Sequence, residues 1–345
     1  MNSQEIKINQ IESYKLTGLF SMALRLVVGW TYFSAFWRRL VLANKLDPET
    51  AGYLGEKFNH FLPNALGIKP VIEFLVTNPD LLWFAMVAFT IIEGIVGLLF
   101  MLGFFTRLMS LAVFGLAMGI LLGSGWIGTT CLDEWQIGIL GIAVGFTIFL
   151  TGSGDFSVDN WFKSKSFSIS NKKWFNWIAS GPLPIDYAKL KPLVIGGSTI
   201  ILFISLFTNQ YFHGGVWGTL HNKSVKPKIE IAQANINNSN LSFELSRVEG
   251  VDVYGSFLIG ISLVDTNGNE LIKLDGEDLA KIPSTSIENY YVAKVKPGKH
   301  SLIIPLGAEA ILTLESSKLR GIIKGEYQLI LTDISGATWT KTIAY

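Results

Sequence analysis

Cys131 is the only thiol in the chain, and it lies in a polar stretch, Gly123 to Gln136 (GSGWIGTTCLDEWQ), that joins two long apolar runs. Thr129 and Thr130 precede the sulfur, Asp133 and Glu134 follow it, and Trp126 and Trp135 bracket it. That tryptophan spacing suits residues anchored at a membrane–water boundary. A thiolate at the start of a helix is favoured by the free backbone N–H groups there, which would make Cys131 a nucleophile or redox group. Asp133 and Glu134 oppose this by repulsion unless an arginine balances them. Isolated cysteines are ordinarily inert small hydrophobes, so residue chemistry leaves both readings open.

Other groups could join it. Arg38 and Arg39 close the first apolar run, and a guanidinium pair presents forked donors suited to oxyanions, with hydroxyls of Thr129 and Thr130 able to add to them. The alternative is an ordinary pair of interfacial arginines. Arg25 and Glu93 lie inside apolar runs. In helices that run in opposite directions, each stands roughly 11 to 14 Å from the inner end at about 1.5 Å per residue, so the two are expected to pair, as buried membrane charges do. Such a pair is either a structural bridge or places Glu93 as a proton carrier or a partner of a quinone carbonyl. Trp30, Tyr32, Phe33, Phe36 and Trp37 add aromatic surface along the first run that could flank a flat ring. Trp126 could do the same from the polar stretch. Arg107 reads as an anchor at the inner boundary.

Several chemistries drop out. One cysteine excludes an internal disulfide, a four-cysteine cluster and a Cys-x-x-Cys-His haem site. Gly123, Gly125 and Gly128 spell G-x-G-x-x-G, but they follow an apolar helix, where a dinucleotide fingerprint needs a strand. His60, His213 and His221 form no metal-ligand spacing. No basic face supports nucleic-acid binding.

The elements that must position these groups are membrane helices. Only 16% of the 345 residues are charged and 49% are apolar, against roughly 25% charged in an average soluble domain. A bilayer core of about 30 Å takes about 20 apolar residues as a helix. Five runs approach that length: Leu16 to Phe36, Leu81 to Leu102, Leu108 to Gly123, Trp135 to Thr151 and Leu193 to Phe212. The polar first 17 residues lack a small-residue cleavage site, which reads as a retained signal anchor. Lysines 163, 165, 172, 173, 189 and 191, interleaved with aromatic residues, suit an amphipathic segment on the cytoplasmic surface. The amino terminus is then cytoplasmic, and the Cys131 loop, the 38–80 loop and the carboxy terminus lie outside the inner membrane. Arg38, Arg39 and Lys45 fall on the outer side against the usual charge bias. Half-apolar 53–75 reads as short helices capping the bundle mouth.

Beyond residue 228 the pattern alternates with period two, in nine short runs: 228–234, 241–248, 257–264, 270–274, 290–295, 301–304, 310–314, 326–331 and 339–343. Asn267-Gly268 and Ser335-Gly336 supply turns. The fold class expected is therefore a membrane α-helical bundle, four helices plus a fifth, followed by an all-β, immunoglobulin-like sandwich outside the membrane. The domains expected are 1–160 (four-helix bundle), 161–192 (basic and aromatic linker), 193–212 (fifth helix) and 213–345 (periplasmic β domain).

The stretches ALRLVVGWTYFSAFWRR, TIIEGIVGLLFMLGFFTR and CLDEWQIG resemble DoxD, the membrane subunit of thiosulfate:quinone oxidoreductase. The fifth run and its β domain resemble DoxA, the partner subunit, here in the same chain. Arg25 and Glu93 are shared with the wider DoxX-like group and are less specific than the Arg-Arg pair or the CLDEW loop. The resemblance implies oxidation of two thiosulfate ions to tetrathionate, with electrons passed to ubiquinone or menaquinone from the membrane pool and no metal, haem or flavin. On that footing Cys131, Asp133 and Glu134 are the catalytic candidates. Arg38, Arg39, Thr129 and Thr130 would bind thiosulfate, and Arg25, Glu93, Trp30, Trp37 and Trp126 would bind quinone or relay protons. The partners implied are thiosulfate, quinone and the bilayer, and assembly of identical chains stays open. Two other readings remain: a non-catalytic scaffold whose sandwich docks an envelope partner, and quinone-linked oxidation of another sulfur compound such as sulfite or a persulfide. A membrane-impermeant maleimide added to the periplasmic side of intact membranes should label the protein, and Cys131→Ser should abolish all labelling.

Overall fold

The computed structural model describes residues 3–128, 133–183, 185–251 and 256–345. Its contacts divide it into two compact units: residues 1–50, 84–125 and 133–221, and residues 51–83, 126–132 and 222–345.

Membrane-spanning helices make up the first unit. Four are long and apolar enough to cross a bilayer: Pro79–Leu102 (α5), Thr106–Ser124 (α6), the stretch Glu134–Thr151 and Tyr187–His213 (α10). The third belongs to helix Asp133–Thr151 (α7). Helices Ser3–Phe20 (α1) and Met22–Phe36 (α2) meet at Ser21 in a bend of 50° and pass the same test of length and apolarity only together, making a fifth candidate span. The Ser21 hydroxyl donates to the Thr17 carbonyl at 2.8 Å, a back-bond of the kind that bends helices. The five apolar runs of the sequence therefore appear as helices.

Small residues set the helix spacing, as expected where lipid removes the hydrophobic drive for association. A Cβ at Gly138, Gly141 or Gly145 of α7 would press on Leu121, Ala117 or the Ser110 carbonyl of α6. Trp135 ties α7 to α10 by donating its indole N–H to Thr208 at 2.9 Å. No residue in the apolar window of α10 is buried by the rest of the chain. Between α7 and α10 the chain forms two short helices, Val158–Ser164 (α8) and Lys173–Ile178 (α9). Phe175 is fully buried, while Trp161, Trp174 and Trp177 are about half exposed.

The second unit is an all-β core with helical additions. Lys228–Asn237 (β1), Asn240–Glu249 (β2), Glu309–Glu315 (β8) and Ile287–Asn289 (β5) form one sheet in the order β1-β2-β8-β5. The other runs β10-β9-β3-β7-β6, with β4 also on β3; its strands are Ser256–Asp265 (β3), Glu270–Asp275 (β4), Lys296–Pro297 (β6), Leu302–Ile304 (β7), Glu326–Asp333 (β9) and Thr338–Ala344 (β10). Alternate residues of both sheets, including Leu241, Phe243 and Leu245 from β2 and Ile261 and Leu263 from β3, share one buried core. Period-two patterning located eight of these ten strands and missed the short β5 and β6. The expected strand at 290–295 is a crossover: Asn289 both donates to the Val295 carbonyl and accepts from the Val295 amide, so the chain leaves the first sheet at β5 and enters the second at β6.

Residues 51–83 pack on this sandwich through buried polar contacts. Asn59 donates to the Gly307 carbonyl at 2.8 Å and accepts from the Ala293 amide at 3.2 Å. Asn64 donates to the Val248 carbonyl and accepts from Lys223. Asn59→Ala would strand a buried carbonyl and a buried amide, each costing about 1–3 kcal/mol. It should lower the unfolding temperature of the β-rich unit measured by circular dichroism, with the helical signal retained.

Candidate intramembrane site

The helix that carries the two adjacent arginines changes geometry as it reaches them. Trp37–Leu42 is a π-helical turn continuing from α2, a rare geometry that is frequent at functional sites. The turn separates the two guanidinium groups. Arg39 Nη1 donates to Glu93 Oε2 at 2.5 Å. Arg38 stays exposed, with Nε donating to the Ser34 carbonyl at 3.3 Å.

Glu93 is 3% exposed, and α2 and α5 meet closely along the stretch that follows it. A Cβ on Gly94 would strike the Phe36 ring, and one on Gly97 would strike the Phe33 amide nitrogen and Gly29 carbonyl. The antiparallel register therefore sets Phe36 beside Gly94, Phe33 beside Gly97 and Gly29 beside Met101. Glu93 faces the π turn. A buried carboxylate without a cation costs several kcal/mol in a membrane, and Arg39 supplies that cation from a side chain still 29% exposed.

This register overturns the pairing expected between Arg25 and Glu93. Arg25 stands opposite Gly103, against which its Nη1 sits, about 15 Å along α5 from Glu93 at about 1.5 Å per residue. Counting from the ends of the apolar runs placed both groups at one depth. The close glycine crossing shifts one helix by about ten residues relative to that estimate. Arg25 Nη2 donates instead to the Phe156 carbonyl at 2.6 Å.

Two residues join the site without having been singled out for it. Thr90, one turn before Glu93, is fully buried, and its hydroxyl has no hydrogen-bond partner among the described residues. Tyr32 is 3% exposed and lies within electrostatic reach of Glu93. A threonine in an apolar run carries no sequence signal of this kind. Trp30 and Trp37 remain exposed and pack against Phe33 at ring distances of 6.0 Å. Trp126 is buried in the second unit, donating to the Phe61 carbonyl at 3.2 Å.

Thr129, Thr130 and Cys131 lie outside the described residues, as does the side chain of Asp133. Glu134 is half-buried in the first turn of α7. On the amino-terminal side of the stretch, the end of α6 is fixed: the ring of His213, buried at the end of α10, hydrogen-bonds the Gly125 carbonyl through Nε2 at 2.9 Å.

At the Arg25 end, Arg107 is a latch rather than a boundary anchor. It is fully buried and donates to the carbonyls of Phe149, Asn176, Ala179 and Gly181, tying α6 to the end of α7 and to α9. Asp159 of α8 accepts from the Phe105 amide, the Thr106 amide and the Thr106 hydroxyl at 2.7–2.9 Å, which caps α6. Burial pushes the Asp159 carboxyl above its usual range, and these hydrogen bonds from Thr106 and Phe105 pull it back.

A unit of helices long and apolar enough to cross a bilayer, joined to an all-β unit, defines a membrane protein. Residues 20–190 match the family described as TQO small subunit DoxD and residues 212–342 the family described as TQO small subunit DoxA. The chain belongs to these two families, joined in one polypeptide, and so to an oxidoreductase group named for thiosulfate:quinone oxidoreductase.

The α2/α5 crossing that presents Arg39 to Glu93 has no space for a side chain. Gly97→Leu should lose about 1–3 kcal/mol or more to overpacking, read as a lower unfolding temperature in detergent. Gly115→Leu, where a Cβ meets nothing within 4 Å, should leave that temperature unchanged within a degree or two.

Proposed function

We propose that the protein oxidises thiosulfate to tetrathionate at the outer face of the cell membrane and passes the electrons to membrane quinone. The observation that carries the reading is the presence of both DoxD and DoxA, each described as a TQO small subunit, in one chain. In this reading the amino terminus is cytoplasmic, and the β unit and the Cys131 stretch are periplasmic.

In this reading the two arginines divide the labour. Arg39 is held by Glu93, which leaves Arg38 as the exposed guanidinium at the end of the span, free to receive an oxyanion with forked donors. Thr129 and Thr130 would add hydroxyls. With Arg39 neutralised by Glu93, Arg38 carries the positive charge that two dianions approaching in one turnover need. The Cys131 thiolate and the outer sulfur of the first thiosulfate lose two electrons together and form a sulfur–sulfur bond, giving a cysteine S-thiosulfonate. The second thiosulfate attacks the sulfane sulfur of that adduct, by the logic of thiol–disulfide exchange. Tetrathionate leaves and the thiolate is restored.

Quinone, the second substrate, takes up the two electrons with two protons. The exposed ladder of Trp30, Phe33 and Trp37 offers a flat apolar wall beside Arg38, open to the bilayer where quinone resides. Asp133 and Glu134, at the start of α7, are placed in the reading as proton donors from the aqueous side. Glu93, tied to Arg39, supports charge at the site, and the Thr90 hydroxyl beside it is a donor in want of an acceptor.

The purified protein should reduce a soluble quinone analogue when thiosulfate is added. Cys131→Ser should give no turnover with its fold intact, and Arg38→Gln should raise KM for thiosulfate about tenfold or more, the effect of losing a charge-assisted hydrogen bond. Turnover by the serine variant would remove the thiol from the mechanism, and failure with every sulfur donor would favour a non-catalytic scaffold.

A further inference from the structure

The backbone that leads to Cys131 is gripped by side chains from much further along the chain. Trp126, Ile127 and Gly128 are all buried in the second unit. Both backbone groups of Gly128 are taken by residues 94 and 96 positions later. The Gly128 amide donates to Ser224 Oγ at 3.0 Å, and Asn222 Nδ2 donates to the Gly128 carbonyl at 2.7 Å. The Ser224 hydroxyl has the same carbonyl and Asn222 Oδ1 within reach of its hydrogen. Ser224 is fully buried.

This clamp is itself anchored to the sandwich. Asn222 Oδ1 accepts from the Ser224 amide at 2.9 Å, an Asx turn that fixes the two side chains relative to each other. Between them, Lys223 accepts at its carbonyl from the Gly250 amide at 2.8 Å, directly after β2. Its Nζ donates to Asn64, which in turn donates to the Val248 carbonyl. Gly250 has φ +115°, and a Cβ there would meet the Arg247 guanidinium and Pro227, so the end of β2 is shaped to receive Lys223. Gly128 lies in the stretch matched to DoxD, while Asn222 and Ser224 lie in the stretch matched to DoxA.

Cys131 follows Gly128 by three residues. A chain advances at most about 3.6 Å per residue, so the cysteine backbone stays within about 11 Å of the clamped glycine. Whatever fixes Gly128 therefore limits where the thiol can go. A nucleophile misplaced by about 1 Å can lose a hundredfold in rate, so a clamp at this distance bears on the chemistry.

We propose that Ser224 and Asn222 are positioning residues: by holding both backbone groups of Gly128, the DoxA-matching part sets the geometry in which the thiol of the DoxD-matching part meets thiosulfate. The clamp bears on turnover only if Cys131 carries the chemistry proposed above.

The test uses the full chain in detergent and sets Ser224→Ala and Asn222→Ala beside Asn289→Ala. The last removes two hydrogen bonds to Val295 from the same unit and leaves the clamp alone. Alkylation of the single thiol by a soluble maleimide is timed, and thiosulfate-driven quinone reduction is measured in parallel. Both clamp variants should alkylate about fivefold faster or more, the order expected when local opening is eased by one hydrogen bond. Their kcat should fall about tenfold or more with KM for thiosulfate unchanged, the mark of a misplaced nucleophile. Asn289→Ala should match the wild type in both. Asn222→Ala keeps the Ser224 bond to the Gly128 amide, and it decides the matter if Ser224→Ala does not fold. A folded clamp variant that alkylates no faster than Asn289→Ala would overturn the proposal. If the wild type reduces no quinone with thiosulfate, the functional reading falls, and the alkylation rates still decide whether the clamp holds the thiol.

Discussion

A carboxylate inside a bilayer must have a cation, and the helical unit is arranged around that need at Glu93. Arg39 meets it from a π-helical turn, which adds a residue to the helical repeat and swings two adjacent arginines to different surroundings. The pairing depends on the backbones of α2 and α5 lying against each other, which Gly29, Gly94 and Gly97 permit. The same crossing fixes the depth of every other polar group on these helices. Arg25 is carried to the far end, and Arg38 is left exposed at the near end. Removing one partner of a buried pair is expected to cost about 3–5 kcal/mol, less here because Arg39 keeps some exposure.

The far end is built by a different rule. There the chain satisfies charge with backbone: Arg107 takes four carbonyls left free at the ends of α7 and α9, and Asp159 takes the amides at the start of α6. These contacts convert a set of short, irregular helices into a closed collar. The two ends thus differ in kind, one holding an ion pair beside an exposed cation and the other a charged layer tied to backbone carbonyls and amides.

Much of this was legible from the residues alone. Apolar run length located the four long helices and the bent pair α1–α2, because the bilayer fixes it, and alternation located eight of the ten strands, because one face of each must be apolar. Where the reading went astray, the cause was a contact that pattern does not encode. The register of α2 on α5 follows from which glycines touch, so depth counted from run ends misplaced Arg25. Residues 290–295 alternate like a strand, but Asn289 folds them into a crossover. The amide groups of Asn59 and Asn64 bind residues 51–83 to the sandwich, a contact that no periodicity announces. Arg107 at the edge of an apolar run looks like any anchor until its carbonyl partners are seen. The reading of Thr129, Thr130 and Cys131 rests on chemistry and family resemblance, since these residues lie outside the described ones.

If the chain is a thiosulfate:quinone oxidoreductase, the division between Arg39 and Arg38 is what lets one chain hold a stable membrane core and an open anion site at adjacent positions. The most direct test of that account is a pair of double-mutant cycles on unfolding free energy in detergent, Arg39→Met with Glu93→Met and Arg25→Met with Glu93→Met. The account predicts a coupling of about 1 kcal/mol or more in the first cycle, with the double variant recovering stability lost by Arg39→Met alone. It predicts none beyond about 0.5 kcal/mol in the second. Strong coupling of Arg25 to Glu93 with none for Arg39 would contradict it.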